Sequence, residues 1–76
     1  MSKGIVVRRS VYNAAQELQQ AAEASGGRVL SLAETRIDEC MTSGDKAGTR
    51  FWRQVWLYLM SETYSEAAIH IIEDRH

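Results

Sequence analysis

Apolar residues recur along the chain at three- and four-residue intervals, and the pattern is interrupted at Gly26-Gly27, at Ser43-Gly44-Asp45 and, more weakly, at Ser61-Glu62-Thr63. That period is helical rather than alternating, and it predicts an all-α domain spanning residues 1–76: a compact bundle of three or four helices. The first helix, 10–25, takes Ser10 as N-cap and ends before Gly26, with Val11, Ala14, Ala15, Leu18, Ala21 and Ala22 facing inward. The second, 31–43, opens on a capping box, Ser31-x-x-Glu34, and carries Leu30, Ala33, Ile37, Cys40 and Met41 on one narrow stripe. The third, 46–60, follows an Asp45 cap. The fourth, 63–75, opens on a second box, Thr63-x-x-Glu66, and turns Tyr64, Ala68, Ile71 and Ile72 inward, although helices three and four read equally well as one bent helix. Residues 1–9 form an N-terminal arm. Its Ile5-Val6-Val7 run favours β structure, but a lone strand has no partner in an all-helical chain. An extended arm, or a strand paired across a dimer, is the expectation.

The third helix stands apart. At ~100° per residue its apolar side chains cover roughly 200° of the circumference, and Phe51, Trp52, Trp56 and Tyr58 fall within eight residues. Gly48 lies near the centre of that arc, where glycine costs about 1 kcal/mol of helix propensity relative to alanine. Close approach of a crossing helix would offset this cost. The arc supports two readings. In one, this is the central core helix, packed on all sides. In the other, part of the arc faces a second chain, because the narrow small-residue faces of helices one and two leave it uncovered. Aromatic and arginine side chains are the ones enriched at interface hot spots. The expected interface residues are therefore Phe51, Trp52, Trp56 and Tyr58, with Arg50 and Arg53 on the rim. The expected partner is a protein, foremost a second copy of the chain in a homodimer.

Composition narrows the classes. The chain has 76 residues, 45% apolar and 25% charged, without proline, and a net charge of −1. That mix excludes a disordered tail and a disulfide scaffold. It also argues against bulk electrostatic coating of nucleic acid or anionic membrane. A single cysteine fits a reducing compartment, and the longest apolar run, Val55 to Met60, is far below a membrane span of roughly 20 residues. No signal-peptide pattern precedes it, so the expected location is cytoplasmic. The two ends differ in charge: Lys3, Arg8 and Arg9 near the start, and Glu62, Glu66, Glu73 and Asp74 against Arg75 near the finish. They read either as exposed termini or as a basic arm that docks on the acidic helix of another chain.

Chemistry has little to stand on. His70 and Asp74 lie four apart, a helical spacing that can orient an imidazole or hold a metal, but His70 projects away from the apolar face. Cys40 reads as a buried small hydrophobe rather than a reactive thiol. Without a glycine-rich phosphate loop or a nucleophile–base constellation, the reading is non-enzymatic, with no cofactor, no metal and no catalytic residue expected. The runner-up function is a small DNA-binding regulator: helices two and three, joined at Ser43-Gly44-Asp45, match a helix-turn-helix, with Lys46, Thr49, Arg50 and Arg53 towards DNA. Against it stand the acidic pI of about 6.1 and the narrow polar face, which includes Leu57.

The run Ala33-x-x-Arg36-Ile37-x-x-x-Met41-x-x-Gly44-Asp45-x-x-Gly48-x-x-x-Trp52-x-x-Val55-x-x-x-Leu59 resembles a pattern in small helical proteins of α-proteobacteria and their phages. In those proteins one helix ends in Gly-Asp, and the next opens on Gly with Trp four residues later. The resemblance covers residues 33–59 and implies a helical hairpin without an assigned activity. Chains of this size in phages and mobile elements are often inhibitors or adaptors that bind or occlude a host protein, an expectation that comes from size alone and not from any residue of the pattern.

Overall fold

The computed structural model describes residues 5–64 and 69–74, and it orders them as β1 (Ile5–Arg8), α1 (Arg9–Ser25), α2 (Val29–Ser43), α3 (Lys46–Tyr64) and β2 (Ile69–Ile72). Three helices carry most of the chain, and a two-stranded parallel sheet closes it. The expected fourth helix over 63–75 is not formed. Its first residues extend α3 to Tyr64, so the Thr63 box does not start a helix, and Glu66 lies outside the described residues. Ile69-His70-Ile71-Ile72 is a strand instead. Three β-branched residues in four lose rotamer freedom in a helix and fit a pleated ladder. The partner that β1 seemed to lack is therefore in the same chain, which removes the reason for seeking it in a second copy.

Parallel neighbours need a long crossover, and here the crossover is the whole three-helix unit. The register pairs Ile5 with Ile69, Val6 with His70, Val7 with Ile71 and Arg8 with Ile72, a constant offset of 64 residues. The same offset continues past the ladder into side chains. Arg9 forms an ion pair with Glu73 at 2.9 Å. The Ser10 backbone N–H donates to Asp74 Oδ1 at 3.0 Å, and the Ser10 hydroxyl donates to Asp74 Oδ2 at 2.6 Å. Helix α1 begins one residue earlier than Ser10 implied, with Arg8 in the capping position and no side-chain cap of its own. Asp74 supplies that cap from the other end of the chain, satisfying an N–H the helix cannot. Among the described residues of the two ends, Arg9 thus pairs with Glu73 and Ser10 with Asp74 within one molecule, while Lys3 and Glu66 lie outside the described residues.

The helix junctions are local. Gly26 (φ 70°) and Gly44 (φ 77°) take the left-handed conformation that ends α1 and α2, and the next residues close each end by Gly27 N–H to Ala22 O at 3.0 Å and Asp45 N–H to Cys40 O at 2.8 Å. Helix α2 starts at Val29 rather than Ser31, so the Ser31/Glu34 box does not form; Ser31 O instead accepts from the Thr35 hydroxyl. Between the helices the core is small: Val7, Val11, Leu18, Val55, Tyr58 and Leu59 close around buried alanines from α1 and α2, with Ile71 half-buried against them. Ala15 and Ala33 are fully enclosed, which lets α3 approach both neighbours closely. Met41, expected on the inward stripe of α2, is 57% exposed.

If Asp74 caps α1, replacing it with alanine should cost about 1 kcal/mol of unfolding free energy in urea titrations. Glu73→Gln should cost less than about 0.5 kcal/mol, because that ion pair is exposed on both sides.

Candidate interaction surface

The α2–α3 elbow is built by four residues of the Gly-Asp-x-x-Gly-x-x-x-Trp run. Gly44 turns the chain, and Asp45 caps α3 by accepting the Gly48 N–H on Oδ1 at 2.9 Å. A Cβ on Gly48 would collide with that same carboxylate and would lie 2.8 Å from Cys40 Sγ. A larger residue here would make the capping carboxylate and the thiol shift. Four residues on, the Trp52 ring lies under the Arg36 guanidinium, 5.8 Å from Cζ to centroid.

The aromatic arc is divided among the chain's own elements. Tyr58 is 5% exposed and belongs to the core, edge-to-face with Tyr12 of α1 at 6.1 Å; a side chain this enclosed has no surface left to offer a partner. Phe51 and Trp52 meet edge-to-face at 5.2 Å, and the Trp56 indole N–H donates to Glu34 Oε2 at 3.3 Å. All three are half-buried. Arg50 and Arg53 are exposed on the opposite side of α3.

Among the exposed residues of α3, Lys46, Arg50, Arg53 and Leu57 form one stripe, spaced four, three and four residues apart, which keeps them on one face. Its two halves differ. Towards the sheet, Leu57 joins Val6 and Ile72, 56%, 65% and 47% exposed, around a groove of about 330 Å³. Buried Val7, Val11 and Tyr58 line it, with Gln54 and Ser61 at its side. Strand alternation explains the cluster: Val7 and Ile71 point to the core, so Val6, Arg8, His70 and Ile72 share the outer face. Towards the elbow, Lys46, Arg50 and Arg53 border a recess of about 460 Å³ that also contains Met41, Cys40 and Asp45. Sequence reasoning missed the first half because it treated Ile69–Ile72 as helical; the β-branched run was the available signal.

The other candidates lose their setting. With residues 69–72 in a strand, His70 and Asp74 no longer share a helix face: His70 is exposed on β2 and Asp74 is engaged with α1. Cys40 is half-buried rather than enclosed, and its thiol is held towards the neutral form by desolvation first, then by Asp45 and Glu39, with Arg36 opposing. Among the described residues no cluster of three histidine, cysteine or carboxylate groups could hold a metal, and no helix is long and apolar enough to cross a membrane. Comparison with protein-family models, curated proteins and solved structures finds no match.

One titration reports directly on the core. Burial pushes the Tyr58 phenol up to about 12, assisted by the Glu62 carboxylate, which accepts its hydrogen bond and repels the phenolate, and by Tyr12. An unfolded tyrosine ionises near 10. Between the two values the unfolded state releases a proton that the folded state keeps, so stability is fully present below pH 10 and falls as pH rises towards 12. Stability measured across that window should decline less steeply in Tyr58→Phe than in the wild type.

Proposed function

We propose that the chain is a non-enzymatic protein-interaction module that pairs with a second copy of itself and acts by occluding or bridging a partner protein. The observation that carries this reading is the exposed apolar cluster of Val6, Leu57 and Ile72 at the outer face of the parallel sheet, whose inner face is taken up by the core. Parallel sheets normally have both faces covered, and two strands alone are marginal. The molecular shape agrees. Its extents are 40 × 34 × 17 Å and its radius of gyration is 12.8 Å, against about 11 Å for a well-rounded chain of this length. A slab this thin leaves much of its surface outside, and its broad face can supply the roughly 800 Å² per partner that a stable interface buries. A net charge of −1 sets no electrostatic barrier to self-pairing. The interface residues of this proposal are therefore Leu57, Val6 and Ile72, with the half-buried Phe51, Trp52 and Trp56 serving α3's packing on its own neighbours.

A small DNA-binding regulator draws support from the Arg50/Arg53 edge alone. A recognition helix presents a polar exposed face along most of its length, whereas the exposed face of α3 is narrow and includes Leu57, 56% exposed.

Light scattering during gel filtration should give about twice 8.6 kDa for the wild-type chain and a monomer for Leu57→Asp. Because Leu57 is exposed, that variant should keep its helical circular dichroism. A wild-type monomer up to millimolar concentration would overturn the homodimer.

A further inference from the structure

The basic half of the α3 stripe has a different chemistry from the apolar half and is separate from it. Lys46, Arg50 and Arg53 form none of the ion pairs among the described residues; those are Arg9–Glu73 and Arg36–Glu39. Three cations thus line one recess beside a single lining carboxylate, Asp45, which is engaged as the α3 cap, on a chain whose net charge is −1. The floor between them is apolar: Met41 projects from α2 with 57% of its surface exposed, beside Cys40, and the arginine stems add methylene surface. An unbranched thioether beside unpaired guanidinium groups suits an apolar side chain flanked by carboxylates.

We propose that this recess receives an acidic amphipathic helix of a partner protein, one apolar residue seated on Met41 and its carboxylates paired with Arg50, Arg53 and Lys46. From residue 46 to residue 53 α3 rises about 10 Å, two turns, which a helix presenting carboxylates at matching four- and three-residue intervals can follow. The same recess suits a phosphate backbone poorly. A duplex laid along α3 would bring phosphates to the arginines but offers no apolar side chain to seat on the exposed Met41, whereas an amphipathic helix supplies both contacts; the Asp45 carboxylate in the lining opposes either anion alike. The inference rests on the reading of this chain as a protein-binding module but not on its dimerisation.

The test uses the full chain and three fluorescent probes: a helical peptide of about 18 residues with leucines at three- and four-residue intervals and glutamates between them, the same peptide with every glutamate replaced by glutamine, and a DNA duplex of about 20 base pairs. Binding of the glutamate peptide, weakened about tenfold by Arg50→Glu with Arg53→Glu and also by Met41→Asp, is the expected result. Raising the salt should weaken it further. Equal binding of the glutamine peptide, tighter binding of the duplex, or no binding of the glutamate peptide at about 0.1 mM would each overturn the proposal. All these side chains are exposed, so circular dichroism of the variants should match the wild type. Their mass in solution separates the two readings: the charge-reversed chain should remain a dimer, so that loss of peptide binding with the dimer intact implicates the recess alone.

Discussion

The parallel pairing of β1 with β2 is the constraint on which the remaining structure depends. A two-stranded ladder contributes little by itself, yet its register fixes more than four residue pairs. Because the offset of 64 carries on beyond Arg8 and Ile72, it delivers Glu73 to Arg9 and Asp74 to the open N–H of Ser10. Sheet closure and helix capping are therefore one event. The strand also sets where α1 begins, since Arg8 ends β1 and the next residue is already helical. From that start Val7 and Val11 enter the core together, and α1 lies where α3 can pack on it.

Helix α3 then has to satisfy an apolar arc with neighbours of small bulk. Alanine is what makes this possible. Ala15 and Ala33 are wholly enclosed, and Ala14 and Ala22 nearly so, so the two flanking helices come close enough for Val55, Tyr58 and Leu59 to be buried. Burying a side chain of the Val or Leu class is worth about 1.5–3 kcal/mol, and in so small a core each such residue is a large fraction of the total. The larger rings are placed at the edges of the contact, where polar groups can reach them: Trp56 to Glu34, Trp52 to Arg36, Tyr58 to Glu62. The 200° arc that looked too wide for the chain to cover is covered by close approach, with the indoles half outside.

How much of this was legible in the sequence follows from which signals were local. The two glycine stops, the Asp45 cap and the need for space at Gly48 all arise within a few residues, and the structure supplies their geometry. Gly44, Asp45, Gly48 and Trp52 are the residues whose spacing builds that elbow. Long-range pairing was not legible. Ile71 and Ile72 fit a helical stripe as readily as a strand, and only the presence of Ile5-Val6-Val7 at the far end of the chain decides between them. Ser31-x-x-Glu34 matched a capping pattern, but Glu34 is used by Trp56, twenty-two residues on. Tyr58 looked like an interface hot spot because ring content was counted without knowing which rings α1 would enclose.

The same closure determines where a binding surface can lie. Once the aromatic arc is spent on α1 and α2, α3 retains only the side that faces neither, and this side crosses two environments. At the elbow its residues are cationic, with the Asp45 carboxylate in the same recess lining; at the sheet, beside the outer face of β1 and β2, its residue is Leu57. Neither end is needed for the core. Leu57, left 56% exposed, gains little from folding, and a polar residue there would leave the core intact. Single exposed apolar residues are unremarkable on any surface, but Leu57, Val6 and Ile72 come from three elements and meet only because the strands pair. A surface assembled by the fold in this way, with one apolar end and one basic end along a single helix, is the one on which the proposed interaction module rests.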